Sequence, residues 1–259
     1  MEIIVKFAPH FKRAHRMMTQ FNKLIYKFSD SPADCARETW DTMARHEDVR
    51  EEITSFIESE IVPRYDGFDP AHRRDHVMTV MSQAMELYNR APDDVKKEMD
   101  REVLLMAAAC HDLGLVNGRE NHHLDSGKII RSDERLRKWF DDGQIETIAQ
   151  AAEDHRASGK SEPRSIYGKM VAEADRVIDG ETIIRRTLQY GQSRYPEMDP
   201  EAQIARAEEH LKTKYGYGGY MKLWIPWSDN AARLDALRAL IADPVRLHAE
   251  VRRIYFTIM

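Results

Sequence analysis

Apolar residues recur along this chain at intervals of three and four, the spacing that lines one face of an α-helix. Val49, Ile53, Phe56, Ile57 and Ile61 make one such face, which Pro63 stops. Asp69-Pro70 starts the next helix, with Val77, Val80, Met81, Ala84 and Leu87 turned inward. A third helix runs from Arg101 to Asp112 through the apolar stretch Val103–Cys110, and Gly114 is placed to end it in a left-handed cap. Ile145, Ile148, Ala149 and Ala152 mark a fourth helix, and Met170, Val171, Ala174 and Ile178 a fifth. Ser31-Pro32, Asp199-Pro200 and Asp243-Pro244 each pair a capping side chain with a proline suited to the first helical position. Strand-like alternation is confined to Glu2–Phe7. No internal repeat or low-complexity linker interrupts the series. The pattern predicts an all-α protein.

Residues 215–227 break the helical rhythm, interleaving glycines with Tyr215, Tyr217, Tyr220, Trp224 and Trp227. The first reading is a surface crossing between two helices whose aromatics plug the core. The second is a flap over a ligand.

Composition narrows the class. The chain has 259 residues, 42% hydrophobic and 32% charged, the balance of an ordinary globular protein. A net charge of −5 gives no general attraction to a nucleic-acid polymer or an anionic membrane. No apolar run approaches the roughly 18 residues of a membrane span. Met1–Phe7 passes quickly into charged residues and lacks the apolar core of a signal peptide. The two cysteines, Cys35 and Cys110, suggest a reducing cytoplasm, with Cys110 a small core residue.

The apolar stretch Val103–Cys110 delivers a polar pair, His111-Asp112. Burying an imidazole and a carboxylate without partners costs several kcal/mol, and a shared cation relieves that cost. His76 lies at the edge of the second helix's apolar stripe, His155 follows Ala152 by three positions, and Asp175 follows Val171 by four. Taken singly, each histidine reads as a packed core residue, and Asp175 as an ion-pair partner for the adjacent Arg176. Together they would place imidazoles and carboxylates from several helices in one interior, the ligand set of borderline and hard divalent ions. His10, His15, His46, His210 and His248 have no such setting and read as surface or packing residues.

The ordered set His76, His111-Asp112 and Asp175 resembles the HD-domain metal-dependent phosphohydrolase superfamily. The stretches carrying it are Asp69-Pro-Ala-His-Arg-Arg-Asp-His-Val-Met-Thr-Val80, Ala109-Cys-His-Asp-Leu-Gly114 and Tyr167-Gly-Lys-Met-Val-Ala-Glu-Ala-Asp-Arg176. The resemblance implies an all-α helical bundle at 49–185, with helical extensions at 1–48 and 186–259 packed into one continuous domain. Asn121-His-His-Leu-Asp-Ser126 and Glu153-Asp-His-Arg-Ala-Ser-Gly-Lys160 resemble a subgroup with two further histidines and a second metal. His122, four positions before a small residue that opens a helix, is preferred there to His123. The implied arrangement has His76, His111, Asp112 and Asp175 on one ion, and Asp112 bridging to another on His122 and His155. One or two ions are compatible with it, and iron, manganese, cobalt, nickel, zinc and magnesium all remain candidates.

A divalent ion lowers the pKa of bound water and offsets charge on a leaving oxygen. The implied activity is hydrolysis of a phosphate ester or anhydride of a small molecule, with a nucleotide the favoured class. Asp112 would set the spacing of the ions and Asp175 would orient the attacking water. His72, one helical turn before His76, is a candidate general acid, substrate contact or partner to a ligand. Arg73, Arg156 and Lys160, with Arg164 and Lys169 nearby, are candidates for phosphate capture. The competing readings are an HD-fold di-iron oxygenase and a non-catalytic regulatory protein that keeps a structural metal. The flanking helices either enclose the pocket or bury against a second subunit as a homodimer.

Overall fold

The computed structural model describes residues 46–156, 161–176 and 178–258. The chain separates into two compact units, Met1–Ser55 and Phe56–Met259. Of the first unit, residues 46–55 are described, and they are helical. The sequence signals at Glu2–Phe7 and Ser31-Pro32, together with Cys35, lie outside the described residues. Among the described residues there is no strand. No described helix is long and apolar enough to cross a membrane.

The second unit opens with a π-helical turn, Ile57–Ile61, that runs into a 3-10 turn, Val62–Gly67. Pro63 falls in the first turn of the latter, where a missing N–H costs nothing. Ile57 and Ile61 are buried as their spacing predicts, whereas Val49 is 39% exposed. From Arg74 onward the described residues form ten α-helices. The first six are α1 (Arg74–Arg90), α2 (Asp93–Lys97), α3 (Arg101–Cys110), α4 (His122–Ser132), α5 (Asp142–Asp154) and α6 (Ile166–Ala174). Every residue from Val103 to Cys110 is buried, so α3 is the central helix, with α1, α5 and α6 packed around it. Asp100 caps its start by accepting from the backbone N–H groups of Glu102 and Val103. Val77, Val80, Met81, Ala84 and Leu87 of α1 face inward, as do Ile145, Ile148, Ala149 and Ala152 of α5. Cys110 is a free, buried thiol whose pKa burial pushes up to about 12, the state of an inert core residue.

The remaining helices are α7 (Gly180–Arg194), α8 (Pro200–Tyr215), α9 (Asn230–Ile241) and α10 (Pro244–Ile258). They share a second apolar core, including Ile184, Leu188, Leu211, Leu234, Val251 and Ile254. Asp199 caps α8 ahead of Pro200, and Asp243 accepts from the Arg246 N–H ahead of Pro244, as the sequence predicts. Residues 216–229 connect α8 to α9. Met221 and Ile225 are buried, while Tyr217 and Tyr220 remain 70% and 45% exposed. Trp227 Nε1 donates to the Leu87 carbonyl at 2.9 Å, and Arg90 clasps Asp229 through two bonds of 2.8 Å. The segment is therefore a surface crossing that ties the second core to α1. Its buried plugs are the aliphatic Met221 and Ile225, while Trp224 and Trp227 are only half-buried and Tyr217 and Tyr220 are exposed, so the expectation that its aromatics fill the core is corrected.

Four boundaries differ from the sequence expectation. The helix carrying the His-Asp pair stops at Cys110, so His111 is its C-cap and Asp112 lies beyond it. The fifth predicted helix ends at Ala174, which leaves Ile178 in the following loop and in the second core. Asp69-Pro70 opens only a 3-10 turn, Pro70–His72, because Arg73 is extended (φ −83°, ψ −174°) and α1 starts after it. Gly114 is not a left-handed cap: it sits in a 3-10 turn, Leu113–Asn117, and Gly118 (φ 101°) is the positive-φ residue among those described.

Candidate metal centre

The histidines and aspartates singled out above gather where helices end. His111, His155 and Asp175 are the C-caps of α3, α5 and α6, and Asp112 follows His111 directly. His76 lies in the first turn of α1, and His122 is the first residue of α4. A helix C-terminus carries partial negative charge, so three of them converging favour a cation at their meeting point.

The donor atoms fall into two groups that share Asp112. In the first, Asp112 Oδ2 lies 3.5 Å from His76 Nε2 and 3.2 Å from His111 Nε2, and the two Nε2 atoms are 3.3 Å apart. Asp175 Oδ1 borders this group, 3.3 Å from His76 Nε2 and 3.9 Å from His111 Nε2. In the second, Asp112 Oδ1 lies 3.4 Å from both His122 Nε2 and His155 Nε2, which are 3.3 Å from each other. Each carboxylate oxygen thus faces its own pair of imidazoles. Metal–ligand bonds of about 2.1 Å give ligand–ligand edges of about 3.0 Å in an octahedron and about 3.4 Å in a tetrahedron. The separations between neighbouring donors here are of that size.

The tautomers test whether a cation fits. His111 Nδ1 lies 2.8 Å from the Ala108 carbonyl, His155 Nδ1 2.6 Å from Ala152 O, and His122 Nδ1 2.8 Å from Arg119 O. A carbonyl only accepts, so each Nδ1 must carry its proton, and each neutral ring then turns a bare lone pair outward at Nε2. Ala108 and Ala152 belong to the last turns of their helices, where carbonyls lack an intrahelical partner. The helix end therefore sets both the position and the tautomer of its histidine. In the second group, two such lone pairs face each other across 3.3 Å, a repulsive arrangement unless something positive lies between them.

Without a cation, protons answer the same field. Burial, the largest influence on His76, works to lower its pKa, but Asp112 and Asp175 outweigh it and raise the value to about 9. Burial also opposes ionisation of Asp112, yet His111, His155 and His76 hold its carboxyl well below the usual range. The same opposition leaves Asp175 lowered, mainly through His76. His122 is lowered, first by burial, and so stays ready to coordinate.

Three further residues support the centre: Tyr65, which carries no sequence signal, and Gly114 and Ser126, whose sequence signals point to other roles. The hydroxyl of Tyr65 donates to Ala109 O at 2.8 Å and accepts from the Asp112 N–H at 3.3 Å, which steadies the backbone of the His-Asp pair. The Gly114 N–H donates to Ser126 Oγ at 2.9 Å, and that hydroxyl donates to His122 O at 2.9 Å. Gly114 is glycine because of this approach: a Cβ there would lie 2.0 Å from the His122 carbonyl oxygen. Ser126 consequently sits one turn inside α4 and does not open it, as the sequence had suggested. His122, not His123, reaches Asp112 and His155; the Nδ1 of His123 is buried without a hydrogen-bond partner.

The expected substrate contacts divide. His72 is outside α1, yet its ring stacks edge-on at 5.5 Å from that of His76, and its Nδ1 is 2.8 Å from Asp69 Oδ2. Arg73 Nε donates to Phe68 O at 3.3 Å, and Arg156 Nη1 to Glu120 O at 2.8 Å. Lys160 lies outside the described residues. Arg164 is engaged by Asp154 and Glu153, and Lys169 pairs with Glu162 at 2.5 Å, so these two cations already have anionic partners.

Comparison with curated proteins and with solved structures gave no match. The family model of the HD domain matches residues 73–179, a span that opens just before α1 and closes just after Asp175. Such domains belong in general to a superfamily of metal-dependent hydrolases. With His76, His111-Asp112 and Asp175 in order inside that span, and with a buried histidine–aspartate cluster fit to hold a metal, residues 73–179 of this chain are an HD domain.

Proposed function

We propose that the centre holds two divalent ions and hydrolyses a phosphate ester or anhydride of a small molecule, with a nucleotide as the favoured substrate. The observation that carries this reading is the division of Asp112: its two oxygens each face a pair of Nε2 atoms at 3.2–3.5 Å. His76, His111, Asp112 and Asp175 would hold one ion, and Asp112, His122 and His155 the other. Bound there, the ions would lower the pKa of water and offset the charge that grows on a phosphoryl group during attack.

The chain's own residues supply position and protons. Asp112, braced by Tyr65, fixes the separation of the two donor sets. Asp175 is partly exposed, unlike Asp112, and its carboxylate can accept a hydrogen bond from the attacking water. His72, held by Asp69 and stacked beside His76, is the candidate proton donor to the leaving oxygen. Arg73 and Arg156 keep donors beyond their single backbone bonds and are candidates for binding phosphate oxygens. The net charge of −5 disfavours a nucleic-acid polymer as substrate.

Elemental analysis of purified protein, coupled to a phosphate-release screen over nucleotides with manganese, cobalt, nickel, zinc or magnesium, tests the reading. Two ions per chain and metal-dependent phosphate release are expected. Two irons per chain with oxygen-dependent turnover and no phosphate release would replace it with an oxygenase. No bound metal, and no activity on adding any, would leave only a regulatory protein.

A further inference from the structure

Lys214 occupies the last turn of α8, outside the HD domain, and the fold fixes its backbone tightly. The chain reverses after it, and the N–H groups of Tyr220 and Met221 donate back to the carbonyls of Thr213 and Lys214 at 3.3 and 2.9 Å. Gly219 passes so close that a Cβ would lie 2.5 Å from the Lys214 carbonyl oxygen. The crossing is then pinned to the helix end that bears Asp175. The Trp224 N–H donates to Glu173 Oε2 at 2.9 Å, and Asn230 Nδ2 donates to the carbonyls of Glu173 and Arg176 at 3.2 and 3.0 Å. These acceptors lie just before and just after Asp175 in the chain.

The ammonium of Lys214 is consequently close enough to feel the Asp175 carboxylate, with Arg176, Arg119 and Tyr220 also in its field. Burial is the largest influence and lowers its pKa; Tyr220 and then Asp175 oppose this, and Arg176 and Arg119 add to the lowering. It makes no ion pair or hydrogen bond among the described residues, and its Nζ lies over the Tyr215 ring, 5.0 Å from the centroid. Lysines that are not solvated are ordinarily paired. This one is half-buried and lacks a counter-ion. Loading the centre with divalent cations would make the surroundings of Lys214 more positive still, so an anion there would be stabilised by both the ammonium and the ions. Arg164 and Lys169, cations of the HD domain itself, are neutralised by carboxylates, whereas Lys214 is not.

We propose that Lys214 binds the anionic group of the substrate beside Asp175, so that the C-terminal helices supply a substrate-recognition residue to the HD domain's centre. This rests on the hydrolase reading for the identity of the anion, a phosphoryl oxygen. Selection is then for a small phosphorylated molecule that spans from the centre to the end of α8.

The test is calorimetric titration of the manganese-loaded full chain with inorganic phosphate, with metal content measured for each protein. Lys214→Gln removes the charge at similar length; Lys214→Arg keeps the charge. Lys214→Gln is expected to weaken phosphate binding about tenfold or more while both ions stay bound, and Lys214→Arg to restore most of the affinity. Unchanged phosphate affinity in Lys214→Gln, equal weakening in Lys214→Arg, or loss of metal from Lys214→Gln would each overturn the proposal. So would a metal-loaded wild type that does not bind phosphate. Phosphate binding that depends on Lys214, in a protein that hydrolyses no phosphoester, would sink the hydrolase reading and leave this one standing.

Discussion

Replacing Gly114 by alanine should remove one ion and spare the other. The new methyl carbon would lie 2.0 Å from His122 O, 2.5 Å from Ser126 N and 2.9 Å from the Asp125 carbonyl carbon. Comfortable non-bonded contacts lie at about 3.5 Å, so the backbone at the start of α4 must retreat on the order of 1 Å. These obstacles are backbone atoms within a helix and cannot swing aside as a side-chain tip could. The retreat also stretches the bond from the Gly114 N–H to Ser126 Oγ. Overpacking and a weakened hydrogen bond together cost about 2–4 kcal/mol. The effect on the centre is more selective. Metal–ligand distances tolerate only about 0.2 Å, so a displaced His122 cannot share an ion with His155 and Asp112. His76, His111 and Asp175 are on other elements and stay in place. Elemental analysis after dialysis should show two ions per chain falling to one, and urea unfolding should show the loss of stability. Two retained ions with an unchanged unfolding midpoint would refute the reasoning.

Further outcomes follow from the same geometry. His122→Ala should lose the second ion and keep the first, whereas His123→Ala should keep both, as read by elemental analysis; the reverse pattern would exchange the two residues' roles. In the metal-free protein the His76 pKa, raised to about 9, keeps its ring protonated near neutrality. Metal entry at about pH 7 must therefore expel close to one proton there, and affinity should rise with pH until that pKa is passed. Calorimetry in two buffers of different ionisation enthalpy measures this, and no proton release would contradict it. Trp227→Phe, which loses the bond to Leu87 O and part of the ring's packing, should cost about 1–2 kcal/mol in urea unfolding and leave metal content unaltered.

Five of the six clustered residues are legible because each continues or borders an apolar helix face, such as Val103–Cys110, where burial demands partners; His122 stands in a polar stretch and is legible only through the family resemblance. Where the helices stop is not legible. The pattern around His111, His155 and Asp175 continues the inward face, so nothing local shows that each residue caps its helix. Gly114 misleads for a related reason: a glycine after a helix suggests a left-handed cap, but the atom that excludes a side chain belongs to His122, which only the fold brings near. Arg164 and Lys169 look like phosphate binders from their neighbourhood alone, and their carboxylate partners emerge only in three dimensions. Lys214 is the opposite case. Far beyond Asp175 in the chain and set in an ordinary amphipathic helix, it draws no notice until the crossing folds it back.

The convergence of α3, α5 and α6 by their C-terminal ends has a bearing on how such a chain can change over time. Each donor's rotational phase is counted from the inner end of its helix, one or two residues past the last helical residue. Insertions and deletions at the outer ends, before Asp100, Asp141 or Ser165, alter helix length without turning a donor away from the centre. A one-residue change between the last turn and the donor would rotate it by about 100°. The architecture thus concentrates its intolerance into a few peptide units at the hub and leaves the spokes free to drift.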